Sequence, residues 1–301
     1  MICYILIGMV LTAMIIAVAE TRILRVRHYE LCRDRSCTGA VPRSNDPEKD
    51  NRRAAGSAQL HEKKFRIVIV SDLHCTRFGK KNIRLIEKIK ALHPDIMIVA
   101  GDVINGRAED SEYAEEFFDA LNQAGIKAYY TFGNHEQKLS LIGEDIFDAY
   151  ESNIGFHVTV LNNKTVSVDG AIELKGLLIP LKMYRDRYCE IEKYFDAVKL
   201  AGRFEDNGHY HILVAHDPTY AELYKEIDAD LIIGGHLHGG IIRIPFIGGI
   251  ISPRHRLFPR RTRGMYDIGK SKLLVTSGVG WHALPFRFCN DPQICVLDIK
   301  R

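Results

Sequence analysis

Two short histidine motifs stand out in this 301-residue chain. They are Gly133-Asn134-His135-Glu136 and Gly235-His236-Leu237-His238. Further side chains of types that bind metals precede or separate them, in the order Asp72, His74, Asp102 and His216. Imidazole nitrogens combined with carboxylate and amide oxygens suit manganese, iron or zinc at a hydrolytic centre, and their number exceeds what one ion needs. The pattern therefore predicts two divalent metal ions that share one carboxylate.

The positions of these residues relative to the predicted strands carry a second signal. Short apolar runs predict buried strands at Phe65–Val70, Ile96–Ala100, Lys127–Phe132, His211–Ala215 and Asp230–Ile233. Each strand is followed at once by a ligand-type residue: Asp72, Asp102, Asn134, His216 and His236. Side chains beyond the carboxyl ends of neighbouring parallel strands converge on one crevice, where such folds usually bind ligands. We therefore expect these residues to meet at one site.

The segments between and after these strands indicate the fold class. Apolar residues recur at helical spacing from Leu85 to Leu92 and from Tyr113 to Leu121, so strand, helix and strand alternate and predict parallel pairing. The runs 157–161 and 164–168 flank Asn162-Asn163 and predict a β-hairpin, and 273–276 and 294–299 predict later strands. We therefore expect an α/β fold that forms a two-sheet sandwich.

Composition limits the class of protein. With 46% hydrophobic and 26% charged residues the chain can bury a full core, and the part after about residue 60 has the size of one α/β domain. The formal charge of +3 is too small to indicate nucleic acid as a partner. Seven cysteines, an odd number without framework spacing, favour a reducing compartment. No feature of the sequence indicates a protein partner.

The N-terminus carries an uncharged apolar run from Ile2 to Ala19, followed by Arg22, Arg25 and Arg27. A helix of that length rises about 27 Å, close to the ~30 Å thickness of the hydrocarbon layer. We predict a membrane anchor over 1–22, a linker over 23–63 and the catalytic domain over 64–301. The arginines after the run place that domain on the cytoplasmic side. A cleaved signal peptide and a buried helix are the alternatives, but no Lys or Arg precedes the run.

Taken together, the motifs Asp72-x-His74, Gly101-Asp102, Gly133-Asn134-His135-Glu136, His216 and Gly235-His236-x-His238 resemble the signature of the calcineurin-like metallophosphoesterase superfamily. The resemblance begins near Phe65 and continues to the C-terminus. Residues 239–246, 248–253 and 285–287 are similar to the membrane-anchored bacterial branch, some members of which hydrolyse the pyrophosphate of a UDP-diacylglucosamine. One departure is Asp291-Pro292-Gln293-Ile294, which stands where that branch usually has Pro-Glu-Ile.

The resemblance implies a division of the ligands between the two ions. One ion would be bound by Asp72, His74 and His238, and the other by Asn134, His216 and His236, with Asp102 bridging both. Chemistry agrees, because histidines at i and i+2 of a loop do not readily reach the same ion but can serve two ions about 3.5 to 4 Å apart. Manganese is the expected metal, with iron or zinc as alternatives.

The implied mechanism is in-line attack on phosphorus by a hydroxide held between the ions, so no serine or cysteine nucleophile is needed. His135 resembles the family's non-ligand histidine, which donates a proton to the leaving oxygen or stabilises charge in the transition state. We name His135 and Asp102 as catalytic residues. Support of the loop is the alternative role for His135, and we expect Glu136 to be structural.

Substrate recognition rests on a basic loop and on the end of the domain. The loop contains Arg256, Arg260 and Arg261 next to apolar residues, a combination suited to an anionic head group with apolar tails or to the membrane surface. A solvated basic loop is the alternative. The positions of Trp281, His282 and Arg287 resemble pocket-wall positions of the family.

The sequence thus predicts a membrane-tethered, metal-dependent hydrolase of a phosphoester or phosphoanhydride, acting on a lipid or nucleotide-linked lipid. A broad nucleotide phosphodiesterase is the alternative within enzymes. A non-catalytic, metal-stabilised membrane scaffold is the alternative outside them, but a scaffold has no need for both a bridging carboxylate and His135.

Overall fold

The computed structural model describes residues 4, 8, 12, 14, 15, 17–33, 64–185, 195–240, 242–244, 247–253, 257–281 and 286–300. Its strands are β1 (Arg25–Cys32), β2 (Lys64–Val70), β3 (Ile96–Ala100), β4 (Ala128–Thr131), β5 (Thr159–Val160), β6 (Thr165–Ser167), β7 (Ile172–Leu177), β8 (Tyr210–Ala215), β9 (Leu231–Gly234), β10 (Ile242–Ile244), β11 (Gly248–Ile251), β12 (Gly264–Ile268), β13 (Ser271–Val275) and β14 (Gln293–Lys300). Its α-helices are α1 (Ile83–Lys90), α2 (Ser111–Gln123), α3 (Asn134–Gln137), α4 (Glu144–Gly155), α5 (Leu181–Arg185), α6 (Ala197–Ala201) and α7 (Ala221–Tyr224), and short 3-10 turns lie between several of them.

Two six-stranded sheets form the framework. The first sheet has the order β1-β14-β2-β3-β4-β5, and the second has the order β12-β13-β9-β8-β7-β6. Within the first sheet, β2, β3, β4 and β5 are parallel. Within the second, β13, β9, β8 and β7 are parallel. The carboxyl ends of the parallel strands are the positions from which the ligand-type residues emerge.

The core lies in three layers because both faces of each sheet are covered. Ile67 and Ile69 of β2 pack between the two sheets, whereas Val68 and Val70 of the same strand face helices α1, α2 and α4. On the outer face of the second sheet, Leu213 and Ile232 pack against α5, α6 and α7. A strand that is buried on both faces reads as a continuous apolar run, which is why these strands could be recognised in the sequence.

The predicted strands are confirmed, and their ends agree to within two residues. The predicted hairpin at 157–168 is wrong. β5 pairs in parallel with β4 of the first sheet, whereas β6 pairs antiparallel with β7 of the second. The two asparagines between them are held by different sheets. Asn162 Oδ1 accepts a hydrogen bond from Phe132 N, and Asn163 Oδ1 accepts one from Leu178 N. The chain therefore crosses between the sheets here instead of turning back.

The N-terminal segment requires a correction to the predicted linker. Residues Arg25–Cys32 form β1, which pairs in parallel with β14 along its whole length. Tyr29 and Leu31 are buried against the inter-sheet core, so the folded domain includes residues 25–32 of the predicted linker. Residues 34–63 of that linker lie outside the described residues. Of the helices the structure describes, none has the length and apolarity required to cross a bilayer.

Candidate metal centre

The predicted metal-ligand residues come together at one edge of the sandwich. Asp72, Asp102 and Asn134 follow β2, β3 and β4 of the first sheet, and His216 and His236 follow β8 and β9 of the second. Two more histidines come from the same loops. All seven side chains are buried: Asp72, His74, Asp102, Asn134, His216, His236 and His238. The two sheets therefore contribute to one site, as the sequence predicted.

Asp102 is the carboxylate that both halves of the site share. Its Oδ2 lies 3.1 Å from His216 Nε2 and 3.7 Å from His74 Nε2. One ligand atom each of Asp102, His216 and His236 lie within 4.8 Å of one another. A carboxylate between imidazoles of two groups is suited to bridging two cations.

The second group of ligand atoms belongs to Asp72, His74 and His238. His74 Nε2 is 3.1 Å from His238 Nε2, and that nitrogen is 3.5 Å from Asp72 Oδ1. One ligand atom each of these three residues also lie within 4.8 Å of one another. The grouping of histidines and aspartates matches the division between two ions that the sequence motifs implied.

The backbone at the site adopts conformations that are unfavourable for most residues. Five of the seven ligand-type residues have left-handed φ values: Asp72 (54°), His74 (46°), Asp102 (55°), His236 (62°) and His238 (48°). Such a conformation costs on the order of 1 kcal/mol or more for each non-glycine residue, and it persists where the surrounding structure enforces it. Because five left-handed residues lie in the ligand loops, we infer that the conformation of these loops is set by the need to direct the ligand side chains at the site, and not by local backbone preference.

Glycines allow the ligand loops to approach one another. A Cβ on Gly101, which has φ +86°, would lie 2.4 Å from His216 Nδ1. A Cβ on Gly235 would lie 2.5 Å from Asp72 Oδ2. At Gly101 and Gly235, any side chain would collide with a ligand residue of a neighbouring loop, so glycine is required at both positions.

Glu136 connects two of the ligand loops through hydrogen bonds. Its carboxylate accepts hydrogen bonds from the backbone N–H groups of Gly133, Asp102, Val103 and Ile104, at 2.7 to 3.3 Å. Because the side chain is fully buried and its oxygens face backbone donors, it fixes the loop after β3 against the loop after β4. This confirms the predicted structural role of Glu136.

Hydrogen bonds also orient two imidazoles. His216 Nδ1 lies 2.6 Å from the carbonyl oxygen of Ala100 and donates to it, so Nε2 is directed at Asp102. His135 Nδ1 donates to Asn105 O at 2.9 Å, and its Nε2 lies 4.0 Å from Asp102 Oδ2. A carbonyl acceptor behind a ring fixes the tautomer and leaves the other nitrogen available to a metal or substrate.

The electrostatics of the site favour a charged carboxylate at its middle. Burial raises the pKa of Asp72 to about 7, and the nearby Asp102 adds to this rise. Burial also acts to raise the pKa of Asp102, but His216, His135 and His74 outweigh it and hold that pKa well below its ordinary value. For His216, burial acts to lower the pKa, yet Asp102 raises it to about 10. Asp102 is therefore the acid that stays ionised.

The residues present fit divalent metal ions. Asn134 Oδ1 is buried, and no described residue donates a hydrogen bond to it. A buried amide oxygen without a donor is costly in an otherwise satisfied protein, whereas it is an ordinary metal ligand. Together with the convergent imidazoles and carboxylates, this oxygen confirms the prediction of divalent metal ions at this edge. The donor set does not by itself select one metal.

Three residues of the site were missed by the sequence reasoning. Lys138 Nζ lies 2.9 Å from His135 Nε2, and its spacing of three residues on a short helix was the available signal. The ring of Tyr184 packs edge-on against His236 with 5.2 Å between centroids, and no sequence pattern marked it. Asp217, directly after His216, has its Oδ2 3.8 Å from His236 Nε2.

The predicted substrate residues lie in different places. Arg287 is almost fully buried and donates to the carbonyl oxygens of Gly280 and Asn290. Trp281 is half-buried, and the Arg22 guanidinium lies 5.8 Å from its ring centroid. Arg256 and His282 lie outside the described residues.

Arg260 and Arg261 line a cavity beside the metal-ligand loop. The cavity has a volume of about 370 Å³, and Leu237, between the two histidines of the Gly-His-x-His motif, forms part of its wall. Leu257 and Phe258 also line it and are largely exposed. The structure therefore places basic and apolar side chains of this loop in one cavity with Leu237 of the Gly-His-x-His motif.

Comparison with known families agrees with this geometry. The family model described as calcineurin-like phosphoesterase matches residues 65–240. The chain belongs to the calcineurin-like phosphoesterase family. This confirms the predicted two-sheet α/β fold and the predicted enzyme class, a metal-dependent hydrolase of phosphoester bonds.

Individual relatives are distant. The chain is 27% identical over 246 residues to an uncharacterized metallophosphoesterase of Campylobacter jejuni, covering 79% of this chain and 60% of that protein. It is 27% identical over 243 residues to the metallophosphoesterase YkuE of Bacillus subtilis, with 78% and 79% covered. It is 24% identical over 298 residues to the UDP-2,3-diacylglucosamine pyrophosphatase LpxG of Chlamydia muridarum, with 80% and 84% covered. The chain thus spans less than two thirds of the Campylobacter relative.

Proposed function

We propose that this protein hydrolyses the phosphoanhydride or phosphoester bond of a lipid-linked substrate with two divalent metal ions. The observation that carries the proposal is the position of Asp102, which lies between two groups of buried ligand atoms. Asp72, His74 and His238 would hold one ion, Asn134, His216 and His236 the other, and Asp102 both. Manganese is the expected metal, with iron or zinc as alternatives that suit the same donors.

The mechanism assigns the proton transfer to His135. When bound, the two ions supply Lewis acidity toward phosphate oxygens and lower the pKa of water. The bond from His135 Nδ1 to Asn105 O turns Nε2 toward the centre, 4.0 Å from Asp102 Oδ2. From that position an imidazolium can donate a proton to the leaving oxygen or stabilise its charge. Lys138 Nζ lies 2.9 Å from His135 Nε2, so its ammonium can donate to the neutral imidazole and supply the proton that His135 passes to the leaving oxygen.

The lipid substrate is supported by the cavity beside the ligand loop. Arg260 and Arg261 offer cations to a phosphate-bearing head group, and Leu257 and Phe258 offer apolar surface to an acyl chain. The similarity to the Chlamydia muridarum pyrophosphatase favours a UDP-diacylglucosamine type of substrate. We also propose that residues 1–22 anchor the chain in a membrane, with the catalytic domain on the cytoplasmic side, because the apolar run is followed by arginines.

The first test concerns the metal centre. Asp102→Asn keeps the shape of the side chain but removes the shared charge, and we expect turnover of a chromogenic phosphodiester to fall by at least about 10³-fold. Bound metal should fall in parallel, as measured by elemental analysis of the purified chain. The control is Asp230→Asn, a buried carboxylate that binds His211 N at the opposite edge. Wild-type turnover by Asp102→Asn with reduced metal content would contradict the proposal and favour a scaffold.

The second test concerns the substrate. Replacing Arg256, Arg260 and Arg261 with glutamine should reduce hydrolysis of a micellar lipid pyrophosphate more than hydrolysis of a small soluble diester. Arg203→Gln is a control for loss of charge, since Arg203 is exposed and pairs with Glu226 at the opposite edge. An equal loss on both substrates would count against lipid recognition. Faster turnover of soluble nucleotides than of lipids by the wild-type chain would favour a broad nucleotide phosphodiesterase.

A further inference from the structure

Three arginines that have no part in the metal centre gather near the start of β14. They are Arg27 of β1, Arg243 of β10 and Arg263, the residue before β12, and we refer to them as the arginine cluster. Arg243 Nη1 donates to Gly239 O at 2.6 Å, and Asn290 Nδ2 donates to His238 O at 2.6 Å. Arg243 therefore contacts the loop that supplies His238.

Within the described part of the chain, much of the hydrogen-bonding capacity of Arg243 and Arg263 is unused. Arg243 Nη1 also donates to Thr262 Oγ1, but its Nε and Nη2 make no hydrogen bond to any residue that the structure describes. The guanidinium of Arg263 makes neither a hydrogen bond nor an ion pair within the same part of the chain. Since a guanidinium presents five N–H donors in a plane, the two side chains together offer a set of donors suited to phosphate oxygens.

Arg263 lies among other positive charges. Asp291 Oδ2 lies 3.6 Å from Arg27 Nη2 and 3.5 Å from Arg25 Nε. Burial, together with the positive charges of Arg243 and Arg27, lowers the pKa of Arg263 to about 10. A partly buried cation near other cations is unfavourable until an anion joins it.

The N-terminal segment meets the domain beside this cluster. Ala17 O accepts a hydrogen bond from Arg287 N, Glu20 Oε2 accepts one from Asn290 N, and Arg25 N donates to Pro292 O. Residues 17–25 therefore contact the domain at Arg287, Asn290 and Pro292, which is where the apolar run Ile2 to Ala19 ends in the sequence. If that run enters a bilayer, the phosphate groups of the lipids lie at the level where it emerges.

We propose that the arginine cluster is a phosphate-binding site, separate from the metal centre, whose ligand is the phosphate of an anionic lipid head group. Free inorganic phosphate is the other source of the same chemistry. Arg243 and Arg263 bind the phosphate by charge-assisted hydrogen bonds. This binding would hold the domain against the lipid surface and keep the loop that supplies His238 at a constant distance from that surface. It does not depend on hydrolytic activity.

The experiment measures stabilisation of the full-length, metal-loaded chain in nonionic detergent by three additives. These are dioctanoyl phosphatidic acid, dioctanoylglycerol, which lacks the phosphate, and inorganic phosphate. Each additive shifts the melting temperature according to its affinity for the folded chain. For the wild type we expect phosphatidic acid to stabilise more than dioctanoylglycerol. In Arg263→Gln the apparent affinity for phosphatidic acid should fall about tenfold, the value of one charge-assisted bond.

The controls separate this site from the metal centre and from a structural role. Any phosphate bound at the metal ions is present equally in all variants, so the comparison with Arg203→Gln isolates the cluster. Without additives, Arg263→Gln should melt no lower than the wild type, because it removes repulsion and breaks no bond. Arg263→Lys should retain part of the affinity. Dependence on Arg263 for inorganic phosphate alone would identify free phosphate as the ligand, and equal affinity of Arg263→Gln and wild type for both anions would overturn the proposal.

Discussion

Histidine and acidic residues gather at both edges of the sandwich, but they have a different role at each edge. At the carboxyl ends of the parallel strands, imidazoles and carboxylates converge with ligand atoms within 4.8 Å. At the opposite edge of the second sheet, His209, His211, Glu173 and Asp230 also lie together. There His211 Nε2 donates to Asn207 Oδ1, His209 Nδ1 lies 3.2 Å from Glu173 Oε1, and Asp230 accepts from His211 N. Those polar atoms are satisfied by one another, and their backbone is not left-handed.

Cavity size does not distinguish these edges. The cavity at the opposite edge, lined by Phe204 and His211 among others, has a volume of about 490 Å³, against about 370 Å³ beside the metal-ligand loop. His211 is stacked on Phe204 with 4.4 Å between centroids, which closes one face of its ring. The difference lies in strained loops and in a buried oxygen, Asn134 Oδ1, that has no donor among the described residues. A site for ions is identified by strained loops that bring ligand atoms together with a buried oxygen that lacks a donor.

The largest effect should come from blocking the approach of the ligand loops. Gly101→Ala and Gly208→Ala both replace a glycine with positive φ, at the metal centre and at the opposite edge. Both should lose about 1–2 kcal/mol from the left-handed conformation. Only Gly101→Ala also places a Cβ 2.4 Å from His216 Nδ1, whereas a Cβ at Gly208 meets nothing within 4 Å. We expect Gly101→Ala to lose bound metal and turnover together, and Gly208→Ala to keep both.

Chemical denaturation and metal analysis of the two variants would check this difference. Overpacking should make the free energy of unfolding of Gly101→Ala smaller than that of Gly208→Ala by about 2 kcal/mol. If Gly101→Ala bound metal normally, the contact between the loops after β3 and β8 would be unimportant for the centre.

The next effect in size concerns a matched pair of histidines. His135→Gln should reduce kcat by about 10² to 10⁴-fold, the range for loss of a general acid, with metal content unchanged. His211→Gln should keep the wild-type rate within about twofold because its partners are internal to the opposite edge. Loss of metal in His135→Gln would instead make His135 a ligand, which its position within 4.8 Å of ligand atoms of His74 and Asp102 also permits.

The sequence was sufficient for the centre because its signals are local. Each ligand directly follows a run of apolar residues buried on both faces, so identifying β2, β3, β4, β8 and β9 also placed Asp72, Asp102, Asn134, His216 and His236 at one edge. Three of these ligands, Asp102, Asn134 and His236, are preceded by a glycine, and these glycines report the close approach of neighbouring loops, which composition alone does not convey.

Features that depend on partners distant in sequence were missed. β1 carries the charged residues Arg25, Arg27 and Glu30 because it is an edge strand, and the two arginines made it resemble a juxtamembrane segment. Asn162 and Asn163 have the composition of a hairpin turn, but hydrogen bonds to two different sheets decide their role. The bonds from Arg287 to the carbonyl groups of Gly280 and Asn290 likewise leave no mark in the sequence, and only the resemblance to the family drew attention to this residue.

A smaller effect is the pH dependence of metal binding. With the pKa of His216 raised to about 10 by Asp102, its Nε2 carries a proton in the metal-free chain at pH 7 to 9. A metal must displace that proton, so apparent affinity should rise by up to about tenfold for each pH unit over this range. Titration calorimetry in buffers of different ionisation enthalpy should detect release of about one proton at pH 8. Affinity that stays constant from pH 7 to 9 would show that His216 binds no ion.

The smallest effect on activity should come from Lys175, whose Nζ donates to the carbonyl oxygens of Ala201, Gly202 and Arg203. Lys175→Met leaves these acceptors without their donor and should lower the free energy of unfolding by about 2–3 kcal/mol. Turnover should change less than twofold, because these bonds join β7 to α6 and do not touch the ligand loops. The exposed Lys164→Met is the matched control, expected within about 0.5 kcal/mol of the wild type. A large loss of turnover in Lys175→Met at full metal content would mean that the two edges of the sandwich are coupled. The edge whose polar groups hydrogen-bond one another would then not be independent of the edge that binds ions.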